Sequence, residues 1–376
     1  MKNISVEDYN DLESKFIWKK PVNLIRDFYP NNFLKMNIQS QIHDKSELWK
    51  FVDTMHENSY EYNLELLGGM SNEEFKLFEE LISATINYSK KLNSGNICSG
   101  KNAISKSLIP TRTIKKILNR NAQILDFGSG SGFVSLALYY SGFKVISYDV
   151  TQALFLHQNS IFNSFLDNNY NLITDKSDYH KIDKCNFCHI PWWVFSDHEN
   201  LKLKNLDCIT LNHTLNEISP NTILYLNSFV EKNILNLEMK DFYLVIENLG
   251  ANVWNNFWFL KTLGYKLIHE PQEGYEKIFV FKKEKFTSLK KFKYPKPTIK
   301  KINILNLLKR KILSFAVLIR NTFLNKKYYK KKINVLKLEN KFDLDSHSLK
   351  DLLQKNFKEA EEKTKNEKYN EFLGKT

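Results

Sequence analysis

The sequence predicts an α/β fold: a mostly parallel sheet of seven strands that closes with an antiparallel strand, with helices packed on it. Three observations carry this. From Ala122 onward, short runs rich in branched and aromatic residues alternate with stretches of helical length, the pattern of strands joined by crossover helices. One junction, Asp126-Phe-Gly-Ser-Gly-Ser-Gly132, sets three glycines where a strand hands over to a helix. The last two runs are separated only by Glu270-Pro-Gln-Glu-Gly274, a turn with no room for a helix, so they pair antiparallel at one edge.

Taken in order, residues 1–118 read as a helical region that forms a lid or substrate-binding part. Its apolar spacing shows in Leu48, Phe51, Val52 and Met55, and again in Phe75, Phe78, Leu81 and Ile82 behind the N-cap Ser71. Residues 119–284 carry the alternation. Strands are expected at Gln123–Phe127, Lys144–Tyr148, 185–190, Leu206–Leu211, Phe242–Glu247, Tyr265–His269 and Lys277–Phe281. Helices are expected at Val134–Tyr140, Thr151–Phe165, Pro220–Leu235 and Val253–Leu263. After the linker Tyr294-Pro-Lys-Pro297, residues 285–376 form a basic extension, with an amphipathic stretch Ile302–Leu324, a lysine cluster at 326–332 and a polar helix near 346–368.

Composition sets the limits. With 376 residues, 42% hydrophobic and 14% aromatic, the chain buries a real core, and its 12 Gly, 8 Pro and 4 Cys exclude collagen-like and disulfide-scaffold classes. Met1–Phe16 lacks the apolar core of a secretory signal, and no apolar run approaches membrane-spanning length, so the expected location is the cytoplasm. The formal charge of +13 is uneven: 18 Lys and Arg face one acid between Lys282 and Lys332, which leaves the rest of the chain mildly acidic. Body and tail therefore need separate explanations.

The glycine junction carries the chemistry. Gly128, Gly130 and Gly132 let the backbone turn tightly and approach a ligand at the carboxyl end of the first strand. A dinucleotide fingerprint would need glycine where Phe133 stands, and the pyrophosphate it cradles wants no acid beside it. Here Asp126 stands just before the first glycine, and Asp149 ends the next strand, placed to accept ribose hydroxyls. Those acids suit a cationic nucleoside ligand with an amino-acid end, and S-adenosylmethionine is such a ligand.

On these residues, positions 120–283 resemble the class I S-adenosylmethionine-dependent methyltransferases, whose sheet is Rossmann-like and closes with an antiparallel strand. Within that superfamily the chain looks most like the sugar O-methyltransferases of surface-polysaccharide and glycoside biosynthesis. That likeness rests on Thr111-Arg112, Leu211-Asn-His-Thr-Leu-Asn-Glu-Ile218 and Ile246-Glu-Asn-Leu-Gly250. It implies methyl transfer to a hydroxyl of a sugar, nucleotide-sugar or lipid-linked glycan; a divalent metal is possible in such enzymes but not indicated here. The alternatives are another small molecule, a nucleic acid, or a non-catalytic scaffold of the same fold.

The acceptor is expected at the carboxyl ends of the strands at 206–211 and 242–247. His213 is the preferred general base, since its side chain titrates nearest neutrality; the alternative is a packing or capping role. Glu217 either assists it or closes a capping box with Thr214, unless Ser219-Pro220 starts the following helix and leaves Glu217 in the loop. Lys101 and Arg112 are candidates to grip a phosphate or carboxylate on the acceptor, and Trp192, Trp193 and Trp254 to stack on a sugar ring, with ordinary surface and core roles as the alternatives.

Other signals are set aside. Cys185-Asn-Phe-Cys-His189 matches a haem-attachment pattern, and Cys98, Cys208 and His180 offer further zinc ligands, but a strand at 185–190 would point Cys185 and Cys188 to opposite faces. No metal site is expected. Nucleic acid is not the expected partner, because Asn212-His-Thr-Leu replaces the Asp/Asn-Pro-Pro-aromatic segment that grips a flipped base. The basic stretch 302–332 suits an anionic membrane surface, which would make the protein peripheral at the inner membrane face.

Overall fold

A computed structural model describes residues 3–16, 39–53, 59–92, 97–197, 200–203, 205–218, 220–233, 241–248, 253–269 and 278–284. The turn at 270–274, the linker at 294–297, the amphipathic stretch 302–324, the lysine cluster and the polar helix near 346–368 lie outside the described residues.

Eight strands form one sheet: β1 (Gln123–Phe127), β2 (Lys144–Asp149), β3 (Tyr170–Leu172), β4 (Phe187–Pro191), β5 (Leu206–Asn212), β6 (Tyr243–Glu247), β7 (Tyr265–His269) and β8 (Ile278–Lys283). Their order is β3-β4-β2-β1-β5-β6-β8-β7. All neighbours are parallel except β6–β8 and β7–β8, as the short connection between the last two strands requires. The expected architecture holds, with one addition. Tyr170–Leu172 adds an edge strand beside β4, too short and too polar in sequence to announce itself.

The crossover helices follow from local signals. Helix α5 (Phe133–Tyr140) starts straight after Gly132; α6 (Gln152–Leu166) is capped by Thr151, whose hydroxyl accepts from the Leu154 amide; α8 (Pro220–Asn233) starts with proline in its first turn. Between α6 and α8 lies the short α7 (Trp192–Ser196), and α9 (Val253–Thr262) precedes β7. The start of α8 decides between the two readings of Glu217. Thr214 caps no helix; its hydroxyl lies 3.1 Å from the Phe127 carbonyl and the same distance from that of Asn212. The capping-box reading is therefore corrected, and Glu217 lies ahead of the helix.

Before the sheet come α1 (Val6–Ser14), α2 (Tyr60–Leu67), α3 (Asn72–Leu92) and α4 (Lys101–Ile117). Ser71 caps α3 as its position implies: the Glu74 amide donates to Ser71 Oγ at 3.2 Å and Glu74 Oε2 accepts from the Ser71 amide at 2.8 Å. Helix α4 is buried along much of its length. These helices share the hydrophobic clusters on the sheet: Ile4, Tyr9 and Leu48 pack with Leu125 and Ile146, and Phe78, Ile104 and Leu108 with Ile124 and Val145.

Candidate functional site

Strand β1 lies between β2 and β5, where the direction of winding reverses, and the glycine loop leaves it at that point. All three glycines of the loop have positive φ (77°, 55° and 83°), but they face different surroundings. A Cβ on Gly128 would stand 2.5 Å from Thr214 Oγ1, and one on Gly132 would stand 2.9 Å from the Phe162 ring. A Cβ on Gly130 would meet nothing within 4 Å. Two glycines thus allow close packing of protein on protein, while the middle one presents bare backbone to open space.

The loop is held from below. Gly128 and Ser129 amides donate to the Tyr148 carbonyl at 2.9 and 3.0 Å, which ties the loop to the end of β2. Gln158 of α6 donates to the Gly130 carbonyl at 2.7 Å, and its own carbonyl oxygen lies 3.0 Å from His189 Nε2. His189 Nδ1 in turn lies 3.0 Å from the Tyr170 hydroxyl. Burial pushes the His189 pKa down to about 3, so the ring is neutral and serves as a strut within the fold. That accounts for the histidine of the C-x-x-C-H pattern without a metal or a haem. Gln158 is absent from the residues that sequence reasoning selects; nothing in its helix sets it apart until β2 and β4 are placed beside it.

Two carboxylates hold the loop, and the charge of one acts on a third. Asp126 is completely buried beneath it, with Oδ2 accepting from Ser135 Oγ at 2.7 Å and Oδ1 from Asn212 Nδ2 at 3.3 Å. Burial, reinforced by the Asp149 charge, raises its pKa to about 7 against those two hydrogen bonds. Asp126 thus braces the loop from within the fold. Asp149 accepts from the Gly130 amide at 3.1 Å and from the Thr151 amide at 3.0 Å, and burial raises its pKa too. Glu217 is half-buried, and its pKa is raised to about 7 by burial and then by Asp149. The Asp149 charge thus reaches Glu217.

His213 stands at the end of β5 with a left-handed backbone (φ 58°), as does Asn248 just past the end of β6 (φ 67°). The His213 amide donates to the Glu247 carbonyl at 3.0 Å. Its ring Nε2 lies 3.8 Å from Glu247 Oε1, and Nδ1 lies 3.5 Å from Asn248 Nδ2. The same Glu247 oxygen forms a buried ion pair with Lys106 of α4 at 2.7 Å. Burial, and then the Lys106 charge, hold the His213 pKa below its usual value, with Glu247 opposing. The ring is neutral at pH 7 while its side chain stays 40% exposed.

Other predicted residues lie elsewhere. The Arg112 guanidinium donates to both Glu74 carboxylate oxygens, at 2.6 and 2.8 Å, and to the Leu67 and Gly69 carbonyls. It staples α4 to the α2–α3 turn, and its role as an acceptor clamp is not supported. Lys101 sits 5.4 Å over the Tyr60 ring. The same helix does send a lysine to the site, but a different one: Lys106, five positions on, points about 140° further round. Trp192 and Trp193 are core residues, donating to Glu13 Oε1 at 2.7 Å and the Thr174 carbonyl at 3.0 Å. Trp254 falls in α9, and its side chain lies outside the described atoms. Cys185 precedes β4 instead of belonging to it, so the opposite-face argument is corrected as well. Among the described residues, no cluster of three His, Cys, Asp or Glu side chains could hold a metal, and no helix is long and apolar enough to cross a membrane.

No protein-family model and no curated protein matches the chain. Among solved structures it is similar to a TehB-like SAM-dependent methyltransferase from Corynebacterium glutamicum, at 15% identity and TM-score 0.34 over 46% of this chain and 87% of that one. It is also similar to a SAM-dependent methyltransferase from Aquifex aeolicus, at 17% identity and TM-score 0.33 over 46% and 88%. A third is TrmK from M. capricolum, a complex with S-adenosyl-homocysteine, at 15% identity and TM-score 0.31 over 47% and 69%. At such identities the ligand and the chemistry have to be argued from the residues of this chain.

Proposed function

We propose that the chain binds S-adenosylmethionine at the β1–β2 end of the sheet and transfers its methyl group to a hydroxyl at the β5–β6 end, the acceptor being a sugar. The observation that carries the first half is the pairing of open backbone at Gly130 with a group of carboxylates behind and beside it. Such a site repels phosphate and favours a cation. Asp149 and the Gly130 backbone would hold the nucleoside, and Glu217 the positively charged end. When bound, the cofactor supplies a methyl group on a positively charged sulfur.

The protein supplies alignment and a place for the acceptor's proton. The Asn248 amide at Nδ1 and the Glu247 carboxylate 3.8 Å from Nε2 favour the His213 ring proton on Nε2, and Nδ1 takes the acceptor's proton once the hydroxyl replaces that amide. Once protonated, the ring carries a charge that the adjacent carboxylate stabilises. Lys106 holds Glu247 in place through their buried ion pair. A base of this kind suits a hydroxyl, which must lose its proton as it is methylated. The sugar rests on the resemblance of the segments at 211–218 and 246–250 to sugar O-methyltransferases.

Incubating the protein with methyl-labelled cofactor and a panel of nucleotide-sugars and lipid-linked sugars tests the reading. A methyl ether on a sugar hydroxyl, located by NMR, is the expected product. Label appearing in RNA or protein alone would refute the sugar assignment, and a site that binds the donor but methylates nothing would make it a binding module.

A further inference from the structure

The C-x-x-C segment is not used by the methyl-transfer site, yet the chain folds its two cysteines onto one carbonyl. Cys185 caps the 3₁₀ helix Lys176–Lys184, and Cys188 lies in β4 next to it. Both are reduced, and the Ile182 carbonyl accepts from the Cys185 amide at 3.4 Å and from Cys188 Sγ at 3.9 Å, which brings the second thiol beside the first cysteine. Cys188 is 1% exposed, more deeply buried than Cys185 at 9%. Cys185 lines a surface cavity of about 360 Å³ together with His180, Lys181, Lys184 and three asparagines. The lining contains no carboxylate. Lys184 and Lys181, the latter paired with Asp178 at 2.7 Å, give the lining its positive charge.

This arrangement has the parts of a dithiol reaction centre: a thiol in the wall of a surface cavity, a more deeply buried resolving thiol beside it, and a docking space with a charge preference. The Cys188 hydrogen bond and the Lys181 charge also lower the Cys185 pKa, favouring the nucleophilic form. We propose that Cys185 and Cys188 form a thiol–disulfide exchange centre whose partner is a small anionic disulfide of the glutathione type. The Cys185 thiolate attacks one sulfur of the partner; that S–S bond breaks, and one half leaves as a thiolate that takes up the proton Cys185 gave up. The other half stays on Cys185 as a mixed disulfide. Cys188 then loses its proton and attacks Cys185 Sγ, forming the internal bond and expelling the second half as a thiol. The protein gives up two electrons and two protons, and the partner gains both.

The test uses reduced full-length protein exposed to glutathione disulfide, read by thiol blocking, intact mass and peptide mapping. Two of the four thiols should disappear, mapped as a Cys185–Cys188 bridge with no glutathione retained. Cys188→Ala should trap one glutathione on Cys185. Cystamine, a cationic disulfide, should react several-fold more slowly, and Lys184→Ala should narrow that gap. Unmodified thiols under conditions that oxidise a model C-x-x-C peptide, or modification at Cys98 or Cys208 instead, would overturn the centre. Equal rates with both disulfides would overturn the anionic partner. Cys185→Ser, checked for an unchanged thermal midpoint, should abolish the reaction; if it does not, the assignment fails. None of these readouts requires methyl-donor binding, so this result and that of the functional test are independent.

Discussion

The two ends of the candidate site are built in opposite ways. At the β1–β2 end, the working parts lie close together along the chain: Asp126, the three glycines and Asp149 span two strands and one helix. At the β5–β6 end they come from afar, with Lys106 reaching from a helix before the sheet to Glu247 near its far edge, and His213 and Asn248 held in left-handed turns at two strand ends. The first end is a backbone site, shaped by glycine and tuned by buried acids. The second is a side-chain site, and its polar atoms are positioned by one buried ion pair. Local motifs reveal the former, and only tertiary structure reveals the latter.

Breaking the side-chain end should give the largest effect. His213→Ala is expected to lower methyl transfer by roughly 10²–10⁴-fold, the usual contribution of a general base, with cofactor affinity unchanged. Turnover kinetics beside a binding titration checks both halves; a loss of affinity of the same size would move His213 to the other end of the site. Lys106→Met comes next. It leaves Glu247 charged, buried and without that partner, at a cost of about 3–5 kcal/mol in denaturant unfolding. Lys106→Met combined with Glu247→Gln should recover a large part of that loss, and a double mutant no better than the single would show that the pair is not what stabilises this end.

The glycines sharpen the comparison at the backbone end. Both Gly128→Ala and Gly130→Ala place a side chain at positive φ, at about 1–2 kcal/mol each. Gly128→Ala adds a clash with Thr214 and should lower the thermal midpoint more. Gly130→Ala should fold better than Gly128→Ala yet bind cofactor at least as poorly, because its methyl group enters the ligand's space. The smallest effect is that of pH. Glu217, with a pKa raised to about 7, ionises as pH rises through that value, and a cationic ligand favours the ionised form. Affinity should therefore rise several-fold from pH 6 to pH 8 and level off above. Flat affinity across that range would remove Glu217 from contact with the positively charged end.

Much of the fold is legible because buried strands such as Gln123–Phe127 are short apolar runs bounded by turn residues, and their helices carry their own caps. β3 escapes such reading because three residues carry no period. At the site, the glycines and Asp149 can be read from spacing, but Asp126 is legible only as an acid near the loop; that it points inward depends on Ser135 and Asn212. Arg112 misleads because its partner Glu74 lies on another helix, whereas the cap formed by Ser71 and Glu74 is readable from the sequence. Lys106 gives no signal, since a lysine in a helix ordinarily faces water.

Calorimetric titration of the full-length protein at pH 8 with S-adenosylhomocysteine, with a nicotinamide dinucleotide run in parallel, tests the central claim most directly. The account predicts saturable, one-to-one binding of the thioether, weakened by Gly130→Ala, and none of the dinucleotide. Binding of the dinucleotide in its place would contradict the account at its root.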